Sequence, residues 1–157
     1  TYTNPTAPVY GTEADVYKTC DPRFPFVGTT YRVVEHWQTG VMTRHQPWLL
    51  EMQPQMFVEL SEELAALKGI KNGERVLATS ARGQLECTAI VTKRLKPLKV
   101  SGQLGSEVHQ VGFPWCYGWQ KPDSGKEESA NLLTPSTGDP NTRIPETKAF
   151  MVNVAKA

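Results

Sequence analysis

The chain has 157 residues, with 17 Lys and Arg against 16 Asp and Glu and a formal net charge of +1. That length fits one domain with a core of its own, and the balanced charge excludes a general electrostatic attraction to nucleic acid. No apolar run approaches the roughly 20 residues that a membrane-spanning helix needs, so direct membrane insertion is not predicted. The chain contains three cysteines without Cys-x-x-Cys spacing, which predicts neither a disulfide framework nor a zinc or iron–sulfur site: Cys20, Cys87 and Cys116.

The first 25 residues are predicted to be a linker. The chain starts at Thr1 without a methionine and opens with a Pro- and Thr-rich stretch, Asn4-Pro5-Thr6-Ala7-Pro8. This composition is typical of a segment between domains. We therefore expect residues 1–25 to follow a preceding domain of a longer polypeptide and residues 26–157 to form the folded domain.

A β-branched strand is predicted over 31–36, followed by a polar loop around Gly40. Gly40 allows a tight turn with exposed backbone N–H groups, and the nearby threonines and Arg44 suit the oxygens of a diphosphate. The residues alone leave a second interpretation open. In it, His36 caps the strand, Trp37 belongs to the core, and residues 43–45 form a solvated turn.

The middle of the chain alternates short strands with one helix. Strands are predicted over 57–60, 75–80, 84–91, 108–111 and 149–154. Ser61 is a good helix N-cap and Gly69 a good stop, which predicts a helix over 62–68. Residues 81–83 form a hairpin turn. Cys87 alternates with Leu85 and Ala89, as expected of a buried thiol. Periodicity predicts an antiparallel barrel or sandwich of six or seven strands, with the helix outside it.

The segment from 113 to 148 contains five prolines and no regular pattern. Its three aromatic residues indicate ordered packing: Trp115, Tyr117 and Trp119. On their own, Asn131 and Lys148 are typical surface residues. No nucleophile has a paired base here, so hydrolysis is not indicated.

Several motifs resemble the C-terminal dinucleotide-binding domain of molybdenum and tungsten bis(molybdopterin guanine dinucleotide) oxidoreductases. They are Gly28-Thr29-Thr30-Tyr31-Arg32, Glu35-His36-Trp37, Thr39-Gly40, Met42-Thr43-Arg44, Lys68-Gly69-Ile70-Lys71-Asn72-Gly73 and Asn131-Leu132-Leu133-Thr134. The tail, with Gly138-Asp139-Pro140 and Val152-Asn153-Val154, is most similar to formate dehydrogenase large subunits. This resemblance implies a mainly β fold, the double-psi β-barrel of the aspartate decarboxylase-like type, with a few short helices.

The resemblance also implies the site. Matching positions in the family line the guanosine diphosphate arm and the pterin edge: Thr30, Arg32, Glu35, His36, Trp37, Thr39, Gly40, Thr43, Arg44, Trp115, Asn131 and Lys148. Among them, Glu35 can accept the guanine N1–H and amine, and Lys148 supplies positive charge. Cys116 stands where relatives often carry His, which removes a proton-relay role there. The chain itself holds no predicted catalytic residue and no metal ligand.

By the same resemblance, the parent enzyme oxidises formate to CO2 at a molybdenum or tungsten atom. It also carries a 4Fe-4S cluster, passes electrons to an iron–sulfur subunit and works in the periplasm, with the cytoplasm as the alternative. Two other functions stay open. One is a nitrate reductase or related reductase. The other is a stand-alone double-psi barrel, either a binding module or a self-processing decarboxylase, although the decarboxylase's Gly-Ser processing pair is absent.

Overall fold

The computed structural model describes residues 22–99, 107–115, 117, 128–134, 141–145 and 147–157. The strands are β1 (Phe26–Tyr31), β2 (Phe57–Ser61), β3 (Arg75–Thr79), β4 (Gln84–Thr92), β5 (Leu98–Lys99), β6 (Glu107–Val108), β7 (Gln110–Pro114) and β8 (Phe150–Lys156). The helices are α1 (Pro47–Met52) and α2 (Glu62–Lys68), with 3-10 turns at Thr43–His45 and Ala130–Leu132.

Six strands close into a barrel in the order β1-β7-β2-β4-β3-β8. Two pairs are parallel, β1 with β7 and β2 with β4, and the other pairings around the barrel are antiparallel. The short strands β5 and β6 form a separate antiparallel ribbon. The prediction of a mainly β double-psi barrel with a few short helices is confirmed, and closure leaves the barrel without an open edge.

The core lies inside the barrel because inward residues alternate along its strands. In β8, for example, Phe150, Val152 and Val154 are buried, and the residues between them are partly exposed. The Phe150 ring lies 6.1 Å from the Phe113 ring. A β-carbon on Gly28 would lie 2.6 Å from the Phe150 ring, so only glycine lets these strands close over it.

Helix α2 has the predicted bounds, and local signals explain both ends. The Ser61 hydroxyl accepts the backbone N–H of Leu64 at 3.1 Å, and Gly69 ends the helix in the left-handed conformation at φ 64°. The predicted hairpin is also present, since Ser80 N–H donates to the Gly83 carbonyl at 2.8 Å and β3 pairs with β4.

The predicted strand over 31–36 is wrong. Strand β1 covers Phe26–Tyr31 and shares only Tyr31 with the prediction. The reason lies in its partner, because Tyr31 pairs with Pro114 at the end of β7. Proline has no N–H to extend the ladder. The chain therefore leaves the barrel at Arg32, and Val34 is fully exposed.

The other expectations have different outcomes. The predicted strand over 108–111 is divided at His109 between β6 and β7, and helix α1 was not predicted. Cys87 is buried and free, as predicted, and burial raises the pKa of its thiol to about 12. Cys20, Cys116, Trp119 and residues 1–21 lie outside the described residues, so the linker stays a prediction.

Candidate functional site

A buried carboxylate on β2 holds the end of β1 in place. Glu59, on β2, is 4% exposed. Its Oε2 accepts the Tyr31 hydroxyl at 2.6 Å, and its Oε1 accepts Arg94 Nε at 2.8 Å. A second Arg94 nitrogen donates to Oε2. The Tyr31 ring lies across Gly112, where a β-carbon would approach its Cε1 to 2.2 Å. These contacts hold the last residue of β1 in one position.

Burial and hydrogen bonding set the protonation states of Glu59 and Tyr31. Burial alone would raise the pKa of Glu59, but hydrogen bonds from Arg94 and Tyr31 outweigh it and hold that pKa below its ordinary value of 4.5. Burial, together with the neighbouring Glu59, raises the pKa of Tyr31. The carboxylate is therefore ionised at neutral pH, and the Tyr31 hydroxyl keeps the proton that it donates.

The loop after β1 is held together by His36, which is buried. Its Nε2 lies 2.9 Å from the Gln53 carbonyl, which can only accept, so Nε2 donates. Its Nδ1 lies 3.3 Å from the Thr43 hydroxyl. That hydroxyl also accepts the Trp37 N–H at 3.0 Å. Thr43 thus joins both ends of the loop, and His36 ties the loop to the end of α1.

Gly40 and Arg44 form a tight turn whose polar groups are directed inward. Gly40 has φ +81°, its N–H donates to the Trp37 carbonyl at 2.7 Å, and its carbonyl accepts Arg44 N–H at 2.9 Å. The expectation of an exposed Gly40 N–H is therefore wrong, because the turn itself uses this group. Arg44 is buried, donates to the Thr39 carbonyl and lies 4.8 Å from the centre of the Tyr117 ring. In this position Arg44 stabilises the loop.

Two cations flank Trp115 beside the end of β1. The Arg32 guanidinium lies 5.3 Å and the Lys148 ammonium 5.7 Å from the Trp115 ring. Lys148 also donates to the carbonyl and hydroxyl of Thr30. Thr30 in turn donates to the Thr147 carbonyl at 2.9 Å. Neither cation has a carboxylate partner among the described residues.

Electrostatics at this pair favour an anion. Partial desolvation lowers the pKa of Lys148, and the charge of Arg32 lowers it further. Two neighbouring positive charges without a counter-charge repel each other, and an anion bound near both relieves this repulsion. Gln38 holds the Arg32 guanidinium, because the Gln38 side-chain oxygen accepts a hydrogen bond from Arg32 Nη2 at 3.2 Å.

A cavity of about 500 Å³ opens beside Arg32 and is lined by residues of β1, β2 and β7. Arg32, Glu35, Gln53 and Arg94 contribute polar groups to its lining. Glu35 is half-buried and makes no hydrogen bond or ion pair with the described residues. Its carboxylate is thus available to a ligand that donates N–H groups.

Asn131 lies on a turn that is bonded to the backbone of Trp115. It is exposed on the 3-10 turn Ala130–Leu132, and the N–H of Ala130 donates to the Trp115 carbonyl at 3.1 Å. A β-carbon on Gly83 would lie 2.8 Å from the Leu132 carbonyl, so the β3–β4 hairpin fixes this turn from the other side.

Most of the predicted site residues therefore fall into two groups, and the members of each group are joined by contacts. One contains Thr30, Arg32, Trp115 and Lys148, and the other contains His36, Trp37, Thr39, Gly40, Thr43 and Arg44. Glu35 lines the cavity next to them, and Trp37 is 61% exposed. The cluster of Glu59 and Arg94 was missed, although a carboxylate inside the apolar run of β2 signals a buried charge that needs a partner.

Within the described ranges, no three His, Cys, Asp or Glu side chains come close enough together to hold a metal ion. The helices in the same part of the chain are all too short or too polar to cross a membrane.

Comparison with known proteins identifies the domain. The family model described as Molydopterin dinucleotide binding domain matches residues 26–151. The chain belongs to this family. The family predicted from the motifs is thereby confirmed, and the match starts at the first residue of β1.

The relatives in this molybdopterin family include several formate dehydrogenase subunits. The chain is 62% identical over 154 residues to formate dehydrogenase subunit alpha from Megalodesulfovibrio gigas, covering 98% of this chain and 15% of that protein. It is 50% identical to formate dehydrogenase 2 subunit alpha (cytochrome c-553) from Nitratidesulfovibrio vulgaris, covering 90% and 14%. Identity is 35% to a nitrate reductase from Symbiobacterium thermophilum, covering 87% and 16%. The chain thus spans about one seventh of these relatives.

The solved structure of acetylene hydratase from Pelobacter acetylenicus has the same fold. The match has a TM-score of 0.68 and covers 100% of this chain and 21% of that one. Since the identity is 15%, the likeness shows the fold alone.

Proposed function

We propose that this chain is the cofactor-binding domain of a formate dehydrogenase large subunit. It holds the guanosine diphosphate arm and the pterin edge of a molybdenum or tungsten bis(molybdopterin guanine dinucleotide) cofactor. The observation that carries this proposal is the pair Arg32 and Lys148, whose cationic groups lie 5.3 Å and 5.7 Å from the Trp115 ring and have no carboxylate partner among the described residues.

The donor set fits that ligand. Arg32 offers a planar fork and Lys148 a compact charge, and both suit diphosphate oxygens. Glu35 lines a cavity of about 500 Å³ next to them, where its carboxylate can accept the two N–H donors of a guanine edge, a pairing that adenine lacks. The Trp115 ring offers an apolar surface to the pterin or the ribose. The exposed amide of Asn131 can donate and accept at the pterin edge.

The loop residues act by holding these groups in place. His36, Thr43 and Arg44 hold the loop together and join it to Gln53 at the end of α1. In this way they position Glu35 and Arg32. Trp37, Thr39 and Gly40 complete the same turn. When bound, the metal with its pterins supplies the two-electron oxidation of formate to CO2. The residues of this chain bind and orient the dinucleotide arm and exclude water from it.

The wider assembly follows from the same proposal. The 4Fe-4S cluster lies in the large subunit outside this chain, an iron–sulfur subunit accepts the electrons, and the enzyme works in the periplasm. Higher identity to formate dehydrogenases, 62% against 35%, favours this function over a nitrate reductase. A stand-alone binding module is disfavoured because the relatives are about seven times longer.

Replacing two loop threonines in the intact enzyme tests the proposal. Thr43→Val removes the hydroxyl that joins His36 to the Trp37 N–H, and Thr39→Val removes the hydroxyl of a second threonine in the same loop. Each hydroxyl is worth on the order of 1 kcal/mol, so the double variant should bind the cofactor about thirtyfold more weakly. Guanine and pterin released on acid denaturation report this loss.

Thr79→Val, on a half-buried strand position away from the loop, is the matched control and should retain both. A folded double variant with a full complement of guanine and pterin would reject the assignment of this loop.

A further inference from the structure

The Tyr31 side chain spans three neighbouring strands of the barrel at the end of β1. The backbone of Thr29 pairs with Gly112 on β7, and Gly112 pairs with Glu59 on β2. The Tyr31 ring lies over Gly112, and its hydroxyl donates to Glu59 at 2.6 Å. Any side chain at position 112 would block this path, since a β-carbon there would approach the ring to 2.2 Å. Tyr31 therefore ties β1 to β2 across β7.

Arg94 extends this connection to the chain that follows β4. Two of its nitrogens donate to the Glu59 carboxylate, and both residues line the cavity together with Tyr31. We call Tyr31, Glu59 and Arg94 the clamp. A buried ion pair is a poor way to stabilise a barrel, because apolar residues of similar volume often stabilise it as well or better. Directional bonds, by contrast, fix the positions of the groups that they join.

The clamp acts on the last strand pair before the proposed site. Tyr31 pairs with Pro114, which has no N–H to continue the ladder, and the pairing of β1 with β7 ends there. The next residue after Tyr31 is Arg32, and the next after Pro114 is Trp115. The Arg32 guanidinium lies 5.3 Å from the centre of the Trp115 ring. The position of this contact is therefore set by a strand pair that the clamp holds from the cavity side.

The second cation of the site depends on the same strand end. Thr30 precedes Tyr31, and its carbonyl and hydroxyl oxygens accept hydrogen bonds from the Lys148 ammonium. That ammonium lies 5.7 Å from the centre of the Trp115 ring. Lys148 thus takes its position from one chain neighbour of Tyr31. Arg32 is the other chain neighbour.

We propose that the clamp residues are positioning residues for the cofactor site: they hold the end of β1 so that Arg32 and Lys148 both meet the anionic arm of the cofactor. The proposal rests on the proposed function, in which these two cations bind the diphosphate. The clamp acts on the cofactor only through the chain neighbours of Tyr31. A shift of this strand end would move both cations away from the ligand, so a defect in the clamp becomes a defect in cofactor binding.

Release of the cofactor from the intact enzyme, in urea below its unfolding transition, tests the proposal. Tyr31→Phe keeps the ring over Gly112 and removes the hydrogen bond to Glu59. We expect guanine and pterin to be released about fivefold faster than from the wild type, which corresponds to the loss of one hydrogen bond. Arg75→Met is the matched control. It removes an ion pair with Glu86 between β3 and β4, outside the clamp, and should release both at the wild-type rate.

An apolar version of the clamp separates positioning from stability. The triple variant Tyr31→Phe, Glu59→Leu and Arg94→Met leaves no buried charge unpaired, so its unfolding midpoint in urea should equal or exceed that of the wild type. Its release of guanine should nevertheless stay several times faster. Wild-type release from the folded triple variant, or from Tyr31→Phe, would overturn the proposal.

Arg32→Met, measured in the same way, keeps the two assignments distinguishable. Faster release from Arg32→Met, combined with wild-type release from Tyr31→Phe, would reject the clamp alone and leave the proposed function standing. Wild-type release from Arg32→Met would reject the contact between this cation and the cofactor, and the proposal with it.

Discussion

At the scale of single residues, burial and charge conflict at Glu59. A carboxylate with 5% of its side chain exposed is stable only while its donors remain in place. Arg94 supplies two of these donors although 72% of its own side chain is exposed. Arg94 therefore stabilises the fold by satisfying the buried carboxylate of Glu59. An ion pair of Arg94 with an exposed carboxylate would contribute little.

Removing Arg94 should consequently be costly for so exposed a residue. We expect Arg94→Met to lower the free energy of unfolding by about 1–3 kcal/mol, because Glu59 keeps its burial and loses two donors. Lys96→Met is the matched control, since Lys96 pairs with Glu63 where both side chains are exposed, and no measurable loss is expected there. Urea denaturation of both variants measures the two changes in unfolding free energy. Equal stability of the two variants would contradict the account of Glu59.

The same carboxylate gives a dependence on pH. The folded-state pKa of Glu59 lies below 4.5, so its contribution to stability is complete above pH 4.5 and is lost as the pH falls through the folded value. Glu59→Gln cannot ionise. The difference in unfolding free energy between the wild type and this variant should therefore shrink as the pH is lowered from neutral to below 4.5, and a difference independent of pH would refute this assignment.

At the scale of elements, the packing of β1 on β7 depends on a glycine. Gly112→Ala would place a β-carbon 2.2 Å from the Tyr31 ring, and the ring cannot easily move because its hydroxyl is bound to Glu59. We expect a loss of about 1–3 kcal/mol in unfolding free energy. Adding Tyr31→Ala should cancel most of this steric cost, as a double-mutant cycle measures. Additive effects would show that the two residues do not compete for this space.

Elements set by neighbouring residues were predictable, and those set by distant partners were not. Ser61 and Gly69 bracket α2 within nine residues, so the sequence alone predicted its bounds. The end of β1 depends on Pro114, more than 80 residues away. Val33 and Val34 have high strand propensity, but the loss of a pairing partner overrides it.

The site divides in the same way. The loop of the proposed site was predicted through motifs, because Glu35, His36 and Thr43 lie close together in the chain. The inward direction of Arg44 could not be foreseen, since it depends on Tyr117. Arg94, which pairs with Glu59, is 35 residues away and follows the end of β4. The sequence signals that the buried carboxylate needs a partner, but it does not show which distant residue supplies it.

At the scale of the whole molecule, the chain has a closed barrel with its own core, and the cavity of the proposed site is lined by strands β1, β2 and β7 and by the segments that follow β1, α1 and β4. We expect the chain, produced alone, to fold and to catalyse nothing, because it supplies binding groups for a dinucleotide arm and the reaction belongs to the metal. Dye-linked formate oxidation, with molybdate or tungstate and cofactor supplied, is the measurement. Turnover above that of a boiled control would mean that the active site had been misplaced.

The central claim is that the end of β1 and the loop after it hold the guanosine diphosphate arm, and a cryo-EM map of the intact enzyme with its cofactor tests it most directly. The account predicts diphosphate oxygens within hydrogen-bonding distance, about 3 Å, of Arg32 or Lys148, and a guanine edge on Glu35. A guanosine diphosphate arm that touches none of these three residues would contradict it.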